Sequence, residues 1–224
     1  IYLNMLNNMI QNWATTRGAV IPEHKSELLH VCRKRNGCNS VINIGNAEIA
    51  AQNQLKILGV TFTKNLLWNE HIKGVIIKLN KINNLLKLIC SKRKGPHIET
   101  AIDICRSLTQ HGITIYGWTS KLIVAKLDAA LNCCFRTATG LLKATPIESL
   151  RIEARSPDFI SILNKRSVNL ASGSITDPRD GLHTLFWHTL NSGTTKVNNA
   201  LCKIISLFHK FGIPLPSKPS GYIS

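Results

Sequence analysis

Residues 68–90 read WNEHIKGVIIKLNKINNLLKLIC, and this stretch decides the fold. Ile72, Val75, Leu79, Ile82, Leu86 and Ile89 recur at three- and four-residue spacing, which predicts one apolar stripe on a long α-helix. At about 100° per residue, Lys73, Lys81 and Lys87 project from the opposite side. Lys92, Arg93 and Lys94 extend that charge before Gly95-Pro96 breaks the helix. The stripe needs partners to bury it, and the helices that follow are the expected ones.

Upstream, Leu3, Leu6, Ile10 and Trp13 give residues 1–17 a helical period that Gly18 ends. Short β-like runs follow at 28–32, 41–44 and 55–62, with turn chemistry at Asn36-Gly37 and Gly45-Asn46. Together they predict a small antiparallel sheet closing near Phe62. Downstream the composition turns helical, with helices expected at 97–110 and 120–139. Gly140 stops the second, and Thr145-Pro146 restarts the chain as cap and first helical residue. Further helices are expected at 146–154, 158–171, 179–190 and 195–210. Pro214, Pro216 and Pro219 make 212–224 an extended tail or linker. Strands first and helices after is an α+β order, a short antiparallel β region followed by an all-helical bundle. The domain reading is 1–66, 67–172, 173–211 and the tail 212–224.

The charge balance points to a partner. Lys and Arg number 28 against 12 Asp and Glu, a formal net charge of +16, while 44% of the residues are hydrophobic. A surplus of this size repels itself unless a polyanion or an acidic neighbour neutralises it, and phosphates reward Lys and Arg through counterion release. No run reaches the ~18 apolar residues of a membrane span, and the N-terminus lacks the basic region of a signal peptide. The expected location is intracellular, nuclear or cytoplasmic, with no membrane partner and no secretion. Seven scattered cysteines without a C-x-x-C fit reduced thiols, and neither they nor His183 and His188 suggest a metal site. The chain opens on Ile1 inside a helical segment, which suggests an internal piece of a longer reading frame.

Three features invite a functional reading, each beside a plainer one. Lys25, in the helix-to-strand loop after Gly18, is placed to meet a phosphate or assist a leaving pyrophosphate, or is a surface lysine. Leu58, Gly59 and Val60 form either a strand turn against a nucleic-acid backbone or a packing glycine with its neighbours. The lysine face of 68–90 is a grip for phosphates or a solvated face. The aromatic residues Tyr116, Trp118 and Trp187 fit core packing better than base stacking. Two-metal phosphoryl transfer needs clustered carboxylates, yet no two of the five aspartates are adjacent. Neither a Walker loop nor a G-x-S-x-G elbow is present.

In this order the blocks resemble the reverse transcriptase of non-LTR retrotransposons, notably the jockey-like, LINE-type elements of insects. The helix holding Trp13 resembles the one after the family's catalytic aspartate strand. Residues 18–27 resemble the next block, whose lysine, here Lys25, is implied to assist pyrophosphate departure. Leu55-Lys56-Ile57-Leu58-Gly59-Val60-Thr61-Phe62 is similar to the strand block near the primer grip, and Leu67-Trp68-Asn69-Glu70-His71-Ile72 follows as in the family. Arg106-Ser107-Leu108 with Tyr116-Gly117-Trp118 resembles a thumb helix pair, and Leu131-Asn132 to Arg136, Gly140, Thr145-Pro146 and Leu150 to Arg155 complete the pattern. The resemblance implies the end of a polymerase palm with primer-grip-like strands, followed by a thumb. It implies an RNA/DNA primer-template hybrid as partner, together with the palm and fingers that these residues lack. Mg²⁺ is implied for the parent RNA-directed DNA polymerase and no cofactor for this chain, whose own inventory predicts no polymerisation. The alternative is a non-catalytic helical interaction protein derived from a decayed retroelement.

Overall fold

The computed structural model describes residues 2–32, 40–45, 47–90, 95–177, 180–191, 200–210 and 212. It is a mixed, mostly helical fold with a small β region, and it divides into two compact units, Ile1–Gly74 and Val75–Ser224. The division falls inside the long helix rather than at the expected 66/67 boundary.

The first unit opens on α1 (Tyr2–Thr16), which Gly18 leaves with a left-handed φ of 70°. A 3₁₀ turn, Glu23–Lys25, leads to β1 (Leu28–Leu29), shorter than the expected 28–32 run. β2 (Val41–Ile44) and β3 (Ala47–Gln52) form an antiparallel hairpin, with Gly45 at φ 58° in its turn. β1 pairs in parallel with the other side of β3, Leu28 opposite Ala51, so the strand order is β1-β3-β2. The expected all-antiparallel sheet is therefore a mixed one. β1 and β3 are not joined by a tight turn, and a longer connection permits parallel pairing where a tight turn does not. The Asn36-Gly37 turn lies outside the described residues.

α1 docks on the sheet through its amide side chains. β2 lies at an edge of its sheet, where Asn43 donates its N–H to Asn4 Oδ1 (3.4 Å) and accepts from Asn7 Nδ2 (2.7 Å). Side-chain amides of the helix thus cover backbone groups that an edge strand leaves open. With the amide face turned inward, the apolar stripe faces out: Leu3, Leu6, Ile10 and Trp13 are all exposed, and Ala14 is buried.

The 55–62 run is a second correction, because it is a hairpin and not one strand. β4 (Gln54–Ile57) and β5 (Val60–Thr63) pair antiparallel with Ile57 opposite Val60. The two turn residues, Leu58 and Gly59, have φ of 47° and 88°, the pattern of a type I′ turn. A Leu in the left-handed region costs about 1–2 kcal/mol, whereas Asn tolerates it. Leu58→Asn should therefore raise the urea midpoint by the equivalent of ~0.5–1 kcal/mol without changing the slope. A lower midpoint would mean that the Leu58 side chain stabilises the folded chain. β5 is tied to the start of the long helix α2 (Asn69–Ile89): His71 Nδ1 accepts from Thr61 N–H (3.2 Å), and Trp68 meets Phe62 edge-on.

The second unit is helical. Along α2, Val75, Leu79 and Leu86 are buried and Ile82 half-buried, while Ile89 is exposed. α5 (Lys121–Thr139) reaches the same helix through Thr137 Oγ1, which donates to Asn83 Oδ1 (2.6 Å), and Cys134 Sγ, which donates to Leu79 O (3.4 Å). α3 (Ile98–Gln110) packs on α5, where the thiols Cys105 and Cys134 are both buried. The neighbouring Cys134 thiol holds Cys105 below the ordinary thiol range, and Cys105 together with burial pushes Cys134 above it.

A short helix, α4 (Ile113–Tyr116), was not expected, because one turn has no periodicity to read. It begins at Gly112, φ 68°, and places Tyr116 in the core with its hydroxyl donating to Thr109 O. Burial pushes the Tyr116 hydroxyl pKa up. A Cβ on Gly117 would lie 2.5 Å from Ile113 O and 2.7 Å from Leu163 Cδ1, so this glycine is a close-packing one. Gly140, φ 73°, ends α5 as expected, and α6 (Ile147–Glu153) starts one residue later than expected, after Pro146. Arg151 of α6 pairs with Asp128 of α5 at 2.6 Å in a largely buried position.

α7 (Phe159–Thr176) is capped by Asp158, which accepts from Ser161 N–H (3.3 Å), and it runs through the expected boundary at 172. Burial would raise the Asp158 carboxyl, but the hydrogen bonds from Ser161 and the nearby Arg151 hold it below the usual range. α8 (Gly181–Asn191) and α9 (Ala200–Lys210) close a second core on α7 with Phe186, Trp187, Ile204, Ile205 and Phe208. His183 is buried beside it, its Nε2 accepting from Trp187 Nε1–H (3.1 Å). The expected 173–211 region therefore shares its core with α7. Residues 195–199 and the expected tail from 213 onward lie outside the described residues.

Candidate nucleic-acid interface

α2 sets the geometry of the basic face. Its residues run from Asn69 to Ile89 with Glu70 as the only acid, and Lys73, Lys78, Lys81 and Lys87 are all exposed. Lys73 to Lys87 covers ~21 Å of helix at ~1.5 Å per residue, the axial rise of roughly six nucleotide steps. Lys73, Lys81 and Lys87 spread over an arc of roughly 120°, and Lys78 stands roughly 60° further round. Glu70 takes Lys73 at 2.7 Å, but both side chains are more than half exposed. Such a pair contributes under about 1 kcal/mol and yields to a competing phosphate.

Lys78 is a further functional candidate on this helix. It lies nearer the apolar stripe than the other three, yet the same signal marks it, a lysine off the stripe of a helix with one acid. The face is also less purely charged than expected. Ile77, Leu85 and Leu88 are exposed between the lysines, Leu88 to 81%.

The other expected site residues are held by different elements. Lys25 is exposed on the 3₁₀ turn before β1. Leu58 is 88% exposed at the tip of the β4–β5 hairpin, whereas Val60 is 4% exposed, so its side chain faces the core and is withdrawn from any backbone lying on the tip. Lys92, Arg93 and Lys94 lie outside the described residues. Arg106 is a fastener rather than a free cation: it pairs with Asp103 and donates to Arg155 O and Ser156 Oγ. Tyr116 and Trp187 are buried, and Lys203 lies 5.7 Å from the ring of half-buried Trp118.

Among the described residues no group of three His, Cys, Asp or Glu side chains comes together to hold a metal ion. Among them, too, no helix is long and apolar enough to cross a membrane. No family model, curated protein or solved structure matches this chain, so the reverse-transcriptase resemblance stands on the order and spacing of its own blocks.

Proposed function

We propose that this chain is the gripping part of a retroelement RNA-directed DNA polymerase, the end of the palm with the thumb, and that it holds an RNA–DNA hybrid by its backbone. The observation that carries the reading is α2, with four exposed lysines against one acid along one helix. Phosphate contacts carry no sequence information, so binding is sequence-tolerant. The hairpin tip adds support. Leu58 sits in a left-handed conformation and is almost fully exposed, and local backbone cost of that kind gathers at functional contacts.

The test is a titration of the whole chain with a fluorescein-labelled RNA–DNA hybrid over a range of salt. The logarithm of the affinity should fall by ~0.7–0.9 per neutralised phosphate for each unit of log salt, and hybrids of different sequence should bind alike. A flat salt response would sink the proposal. It would favour a second reading, a non-catalytic helical interaction protein, which draws support from the exposed Ile77, Leu85 and Leu88 and from the outward apolar stripe of α1.

A further inference from the structure

A cleft of about 750 Å³ opens in the second unit between the end of α3, the short α4 and one face of α7. Its inner wall is aliphatic: Ile113 is buried and Ile162 half-buried. Its outer wall carries the exposed cations Lys165 and Arg166, which α7 presents together with Ser161 and Asn169 at helical spacing. Arg166 Nη2 donates to Gln110 Oε1 (2.5 Å), which fixes the guanidinium at the lip. Arg106 lines the cleft too but is paired with Asp103, and among the described residues no carboxylate lines it to offset Lys165 and Arg166.

Two properties choose the occupant. Among the described residues the lining contains no aromatic ring, so a nucleic-acid base would find nothing there to stack on. Aliphatic floor beside cationic lip instead complements a chain that alternates aliphatic and carboxylate side chains. The α7 face from Ser161 to Leu170 is ~14 Å long, about two and a half helical turns, the footprint of an amphipathic helix laid in a groove. We infer that this cleft docks an acidic amphipathic helix of a protein partner, its aliphatic side chains on Ile162 and Leu170 and its carboxylates on Lys165 and Arg166. The surface is separate from the α2 lysines and does not depend on their role.

The test uses the whole chain and a short fluorescein-labelled peptide of the repeat Glu-Leu-Leu-Glu-Glu-Leu, read by anisotropy. Saturable binding is expected. It should weaken at least ~10-fold, or ~1.4 kcal/mol, in Lys165→Gln/Arg166→Gln, and stay unchanged in Lys81→Gln/Lys87→Gln, which removes the same charge elsewhere. Replacing Glu by Gln, or Leu by Ser, in the peptide should weaken it similarly. Both chain variants change exposed side chains, and circular dichroism checks that each is folded. The inference is overturned if the Lys165/Arg166 variant binds as tightly as the parent, or if either altered peptide does. It is overturned equally if an oligothymidine displaces the peptide and itself loses affinity in that variant, since the cleft would then be a phosphate site.

Discussion

Leu79→Asp should abolish the helical fold of the second unit. Leu79 has no exposed surface, and Cys134 Sγ donates to its backbone carbonyl, so it sits at the seam of α2 and α5. A carboxylate there has no partner and costs several kcal/mol to bury, on top of the lost apolar contact. A domain of this size has about 5–15 kcal/mol in total, so one substitution consumes most of it. Leu86→Asp, at 2% exposure, should behave alike. Leu79→Ala gives the graded case, a loss of ~2–5 kcal/mol from the cavity it leaves. Ile77→Gln, on the same helix but exposed, should stay within ~0.5 kcal/mol of the parent. Urea unfolding followed by circular dichroism separates the four. A cooperative transition for Leu79→Asp near the parent midpoint would show that α2 is not seated on its stripe.

That prediction was readable before any coordinates because α2 is long and strictly periodic. Its six stripe positions repeat over many turns, and only Ile89, at the last turn, is exposed, with Ile82 half-buried. Glycine stops were legible for the same reason, since Gly18 and Gly140 both take the left-handed conformation that ends a helix. The β region was harder. β3 is Ala-Glu-Ile-Ala-Ala-Gln, poor in the β-branched and aromatic residues that mark strands, although its half-buried and exposed positions alternate. In the 55–62 run a two-residue turn interrupts the alternation, and Val60 therefore joins the core while Leu58 stands clear. Periodicity also states that a helix has an apolar face but not which face docks. α1 shows the difference: Asn4 and Asn7 bind the edge of β2, and the apolar stripe is left outside. At the candidate interface the exposure of Lys73, Lys81 and Lys87 followed from the stripe, whereas the ion pair of Lys73 with Glu70 depends on rotamers that no spacing reveals.

The basic face yields the second large effect. Lys73→Gln/Lys81→Gln/Lys87→Gln should leave the unfolding midpoint nearly unchanged, because all three side chains are exposed and the one ion pair lost is a solvated one. Hybrid binding should change sharply. If each lysine meets one phosphate, the salt slope falls by ~0.7–0.9 per lysine, roughly 2–3 in all. The single variants apportion that loss. Lys81→Gln and Lys87→Gln should each remove a full share, because no acid on α2 competes with the phosphates for them. Lys73→Gln should remove less, since Glu70 already offsets part of the Lys73 charge in the parent. Lys78→Gln decides the width of the contact: a full share places the backbone across the whole exposed face, and none confines it to the arc of the other three. Lys165→Gln/Arg166→Gln serves as the charge-removing control on another surface, and its slope should match that of the parent. A folded triple variant with the parent's salt slope would remove the hybrid from α2, leaving Ile77, Leu85 and Leu88 as the feature of that face to be explained by a protein partner.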